Sequence, residues 1–190
     1  INTLLAGFLS IYVIDELGMS RTDVTLILGT AIAAAVVGAL GAARVLDRVS
    51  PIRLLRAVLV VWTIGLGAVV AAGVTGVTGL AWLLGPVGGI ALGATWSADR
   101  VVMLRISPPR FLGEFYGLYA TVGRFATIVG PLAWALVVDV AGWGRNAAMG
   151  VLAGFVAFAW FVLRKVDDTP RQWAPEEQPG FSGSPGAPRT

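Results

Sequence analysis

The stretch GEFYGLYATVGRFATIVGP, Gly113 to Pro131, decides how this chain is read. It opens on an acid, Glu114, runs apolar, and carries one arginine, Arg124, in its middle. It shows none of the two-residue alternation of a half-buried strand. Extended to about Phe115–Val140, it exceeds the roughly 20 residues that a helix needs to cross a bilayer. In lipid every backbone polar group must be bonded within its own segment, so an apolar run of this length is a helix.

Outward from it, five further apolar segments run about Ile1–Ile14, Val24–Val45, Leu54–Val74, Leu80–Leu104 and Ala147–Leu163. The first is too short to span, which reads as a helix whose start lies outside the 190 residues. The chain is 56% hydrophobic and 13% charged, against about 45–50% and about 25% in an average soluble domain. With a mean hydropathy of +0.79, this places it among membrane proteins. The expected fold is all-α and transmembrane, with six helices.

The net charge is +3 and no Lys/Arg run forms a basic stripe, so nucleic acid is not an expected partner. The charge carries topology instead. Asp15, Glu16, Arg21 and Asp23 follow the first segment and are net negative; Arg44, Asp47, Arg48, Arg53 and Arg56 follow the second and are net positive. The next connection is uncharged, Asp99, Arg100, Arg105 and Arg110 follow the fourth segment, and Arg164, Lys165 and Arg171 follow the sixth. By the positive-inside rule both ends of this piece are cytoplasmic, with six crossings of the plasma membrane. There is no Cys and no His, so disulfides, thiol nucleophiles, His-ligated metals and His acid–base chemistry are excluded. No cofactor or metal is expected, and the chain does not read as an enzyme.

Small residues four apart, Gly89 with Gly93, Gly113 with Gly117 and Gly150 with Gly154, are expected to bring helix backbones close. Pro86 and Pro131 are expected inside the fourth and fifth spans, favouring kinks. From about Asp167 the composition turns to Pro, Gly, Ser and charge, which predicts a disordered cytoplasmic tail over 167–190 after a six-helix unit over 1–166.

Two motifs carry a resemblance. ARVLDRVSPIR, Ala43 to Arg53, places Asp47, Arg48 and Arg53 in the short cytoplasmic turn between the second and third spans. An Asp ending one helix can accept hydrogen bonds from the positive start of a neighbour, and the arginines can pair with acids, which suits a latch that forms in one conformation. The plain alternative is a positive-inside loop. The segment resembles the signature loop of the major facilitator superfamily, with Ala43 in place of the usual Gly and Ser50-Pro51 in place of the later Gly.

The second motif, GGIALGATWSADRVVMLRISPPRFLGEFYGLYATVGRFATIVGPL, Gly88 to Leu132, resembles the branch of that superfamily related to vacuolar amino-acid effluxers. The resemblance spans about residues 1–166 and implies helices seven to twelve of a twelve-helix bundle, the first six belonging to a missing N-terminal half. It implies a secondary transporter of a small solute, with an amino acid as the suggested class.

Arg124 lies ten residues after Glu114, on the order of 15 Å of helix and so near the midplane of a hydrocarbon core about 30 Å thick. A cation there costs about 2.5–3.5 kcal/mol on insertion scales, so it must face protein or a wet cavity. It either meets an anionic group of the solute, such as a carboxylate, or forms a structural ion pair with an acid on another helix. Tyr116 and Thr127 lie near its face, and Trp96, Asp99 and Arg100 are the matching residues on the fourth span. Asp99 is either a proton-coupling acid or a salt-bridge partner of Arg124 or Arg105. A membrane scaffold or sensor that transports nothing is the competing function.

Overall fold

The computed structural model describes residues 10–167, 169 and 173. The described residues begin in a helix, α1 (10–15), and continue with α2 (Arg21–Leu46), α3 (Pro51–Thr75), α4 (Leu84–Ile106), α5 (Leu112–Ala135) and α6 (Gly144–Leu163). A 3₁₀ segment, Thr78–Leu83, leads into α4, and a π-turn, Leu136–Val140, continues α5. Five helices are long and apolar enough to cross a membrane, and no strand occurs among the described residues. The fold is all-α and transmembrane. The expected start of the first helix, and most of the expected tail, lie outside the described residues.

The helix ends follow local chemistry. Ser20 Oγ accepts from the Asp23 amide at 3.2 Å while the Asp23 carboxylate accepts from the Ser20 amide at 3.0 Å, a capping box that starts α2. Ser50 caps α3 by accepting from the Arg53 amide at 3.4 Å, and Pro51 takes the first helical position, where a missing N–H costs nothing. α3 stops at Gly76, whose φ of 72° suits glycine, its amide donating to Ala72 O at 2.8 Å.

The bundle is a row in which α2 packs on α4, α4 on α3, and α3 on α6. The α2–α4 seam is the closest. A methyl group built on Gly38 would run into the Ile90 backbone, on Gly89 into Ala31, and on Gly93 into Ala35 and Ala39. Lipid tails are as apolar as leucine, so helices in a bilayer associate through such close packing. Of the three glycine pairs, only Gly89 with Gly93 builds a seam; Gly113, Gly117, Gly150 and Gly154 meet nothing within 4 Å. Spacing alone does not say which face of a helix is turned to a neighbour.

A second core joins α1, α3 and α6 at the other flank. Tyr12 is fully buried, and its hydroxyl donates to Asn146 Oδ1 and lies 3.4 Å from Val69 O. Gly73 leaves room for both polar groups. Leu66, Val69, Ala72, Ala148 and Met149 close the apolar packing around them. Just beyond, Arg145 bridges Asp15 at 3.2 Å and Glu16 at 3.3 Å. This clasp places the α1–α2 and α5–α6 connections at one end of the bundle.

Pro86 lies in the first turn of α4, not in its interior, because the chain enters through the 3₁₀ segment. Its missing N–H therefore breaks no helical bond. Pro131 is inside α5, as expected, and the π-turn follows five residues later. Among the tryptophans, Trp62 and Trp134 are buried, whereas Trp82 and Trp143 are exposed.

Candidate functional site

α4 and α5 run antiparallel through a short turn, so residues equally far from the turn lie at equal depth. Asp99 stands seven residues before Ile106 and Tyr119 seven residues after Leu112, each about 10 Å from the inner end of its helix. The two side chains meet: the Tyr119 hydroxyl donates to Asp99 Oδ2 at 2.6 Å. One turn below, the Tyr116 hydroxyl lies 3.5 Å from the Arg100 carbonyl. The two tyrosine rings stand edge to face, with centroids 6.4 Å apart. Asp99 Oδ1 is buried and has no hydrogen-bond partner among the described residues.

Tyr119 was not among the residues singled out from sequence. Its position three after Tyr116 puts it one turn along α5, on the side toward α4, and that spacing is the signal that could have found it.

Arg124 is five residues further along α5 and exposed, about 7 Å beyond the level of Asp99. Neither Arg124 nor Arg105 forms an ion pair with Asp99; the two ion pairs among the described residues both belong to Arg145. The expected Arg124–Asp99 bridge is therefore absent here, because Tyr119 reaches the carboxylate at its own depth. The Thr127 hydroxyl donates to the Arg124 carbonyl at 2.6 Å, so it is engaged within its own helix. Trp96 and Arg100 are exposed on α4. The structure thus brings Asp99, Arg100, Tyr116 and Tyr119 together, and leaves Arg124, Thr127 and Trp96 on open surface above them. The positions from Gly117 to Val129 are all exposed, so this surface is long and continuous.

At the α2–α3 turn Asp47, Arg48 and Arg53 are exposed and make no ion pair among the described residues. Asp47 ends α2 as its C-cap, but the start of α3 is capped by Ser50. A hydroxyl already occupying the first-turn amides leaves the carboxylate free for another contact.

These chemistry-bearing side chains sit on two long apolar helices, with the Arg124 cation further along α5. The pattern that defines the Major Facilitator Superfamily matches residues 1–188. The chain belongs to this superfamily. Its long apolar helices are multi-pass membrane segments. The chain is 29% identical over 75 residues to the uncharacterized MFS-type transporter YxiO of Bacillus subtilis (strain 168). That alignment covers 40% of this chain and 18% of the relative's length. No solved structure matches the chain.

Proposed function

We propose that the chain is the C-terminal six-helix half of a twelve-helix permease, comprising residues 1–166 and a cytoplasmic tail over 167–190. It moves a small polar solute across the plasma membrane by alternating access, and the solute class is an amino acid or another carboxylate. Both ends of the piece lie in the cytoplasm. The observation that carries this reading is Arg124. It stands twelve residues into α5 on exposed surface, about 18 Å from the inner end. Lipid rejects a cation at that depth, so this surface faces a second half of the protein or water. A guanidinium presents a fork of donors that matches a carboxylate.

In this reading Arg124 binds the anionic end of the solute. Trp96, Tyr116 and Thr127 shape the same wall, and Arg100 adds charge at its inner edge. Asp99 is the coupling acid, with the proton as its ion. Asp47, Arg48 and Arg53 form a latch at the inner turn, closed in a conformation other than the present one. The resemblance of Gly88–Leu132 to the amino-acid effluxer branch supports the solute class.

The test is flux of a labelled amino-acid mixture into vesicles holding the full-length protein, with and without an imposed proton gradient. Gradient-driven flux in wild type, reduced at least tenfold in Arg124→Gln, is the expected result. No flux in wild type would remove amino acids and favour a scaffold or sensor that transports nothing. Flux unchanged in Arg124→Gln would remove the carboxylate contact.

A further inference from the structure

α5 differs from its neighbours in how it is held. Its buried residues are Gly130 and Trp134, both near the outer end, and α6 and the π-turn pack there. Toward the inner end nearly every position is exposed, and α4 touches it sparsely. Between the anchored and the exposed parts stands Pro131, which has no amide to donate to the Thr127 carbonyl. The π-turn Leu136–Val140 follows, with the Ala141 amide donating to Leu136 O at 2.9 Å. A proline and a π-turn are two of the recognised causes of a helix bend, and here they adjoin.

The inner part is nonetheless tied down at one level. The Tyr119 hydroxyl holds Asp99 Oδ2 at 2.6 Å, and Tyr116 reaches the Arg100 carbonyl. Asp99 Oδ1 is buried beside this tie without a hydrogen-bond partner among the described residues.

We propose that the inner part of α5 is a hinged arm. It bends at Pro131, and the Tyr119–Asp99 hydrogen bond clasps it to α4. Tyr119 is therefore a positioning residue: it sets where Arg124 stands relative to α4 and whether Asp99 is covered. The arm runs thirteen residues from Leu118 to Pro131, a lever of about 20 Å, so a bend of about 20° carries Leu118 by about 7 Å. Phe125, halfway along, moves about half as far, and Leu132, past the hinge, stays in place.

The experiment measures distances between spin labels in the full-length protein in lipid nanodiscs. The 190 residues contain no cysteine, so pairs of introduced cysteines define the labels once any cysteine elsewhere is replaced by serine. Leu104 on α4 is paired in turn with Leu118, Phe125 and Leu132, all exposed. In Tyr119→Phe the Leu104–Leu118 distribution should extend by about 7 Å, the Phe125 pair by about half of that, and the Leu132 pair not at all. Tyr119→Phe keeps the ring and removes one hydroxyl, so the bundle stays assembled. An unchanged Leu118 pair would overturn the clasp, and would assign the exposed face of α5 to rigid packing against the other half. Equal broadening of all three pairs would overturn the hinge and mean a generally loosened helix. The readout needs no solute, so its failure is separable from failure of the flux experiment.

Discussion

Two polar devices at the α1–α2 end of the bundle invite comparison, because they differ in burial. Arg145 reaches Asp15 and Glu16 across surface where the side chains keep 30–42% of their exposure. Exposed ion pairs of this kind contribute about 0–1 kcal/mol. Tyr12 is fully buried, and its hydroxyl serves Asn146. Removing that donor leaves a partly buried acceptor without its partner, at about 1–3 kcal/mol, although hydrogen bonds between membrane helices average nearer 0.6 kcal/mol. Tyr12→Phe is thus expected to lower the thermal midpoint more than Arg145→Gln does. The loss in Arg145→Gln should shrink further in high salt. Tryptophan fluorescence during heating of the detergent-solubilised protein reads both, and the reverse order would show that the clasp is the stronger tie.

At the scale of the element, the α2–α4 seam and α5 behave as opposites. In the seam, Gly93 faces the backbone of Ala35 and Ala39, neither of which can rotate away. Gly93→Ala is expected to destabilise by about 1–3 kcal/mol, the cost of overpacking a tight contact. Gly117 on α5 meets nothing within 4 Å. There the same substitution only improves helix propensity, by up to about 1 kcal/mol. Melting curves of the two variants should therefore move in opposite directions. A drop for Gly117→Ala equal to that for Gly93→Ala would mean that α5 is covered as closely as α4. The asymmetry has functional meaning. A tightly packed pair of helices makes a wall, and a sparsely packed helix with a proline bend makes a part that can move against it.

For the whole molecule, topology is the property most directly open to test. The α2–α3 and α4–α5 turns lie at one end of the bundle and the α1–α2 and α5–α6 connections at the other, as the Arg145 clasp requires. With the cysteine-free sequence, Val49→Cys and Phe111→Cys should react with an impermeant thiol reagent only from the cytoplasmic side. Val77→Cys and Trp143→Cys should react only from outside. Labelling on the opposite sides would invert the positive-inside assignment. Residues 1–190 expressed alone should show no flux, since one wall of a pathway encloses no site; measurable transport by this piece would remove the two-half arrangement.

How much of this was legible in the sequence differs by kind of residue. The helices were legible because lipid leaves a backbone no other way to satisfy its own hydrogen bonds, so apolar run length is enough. Helix starts were less so: the apolar runs begin at Val24 and Leu54, whereas Ser20 and Ser50 cap helices that begin at Arg21 and Pro51. Chemistry-bearing residues stood out as types: an arginine and an acid within apolar spans are unusual in lipid wherever they point. Their partners were not legible. Whether Asp99 meets Arg124 or Tyr119 depends on the relative depth of two antiparallel helices, which the short α4–α5 turn sets only once it has folded. The glycine pairs show the same limit. All three have the spacing of a seam, but a seam also needs a facing helix, and only Gly89 and Gly93 have one among the described residues. The amino-acid sequence by itself determined the number of apolar helices and the chemistry they carry, because these are properties of segments against lipid. The tertiary structure decided which faces meet, which tyrosine holds the acid and which helix is left loose, because those depend on rotation and register between segments that no single segment contains.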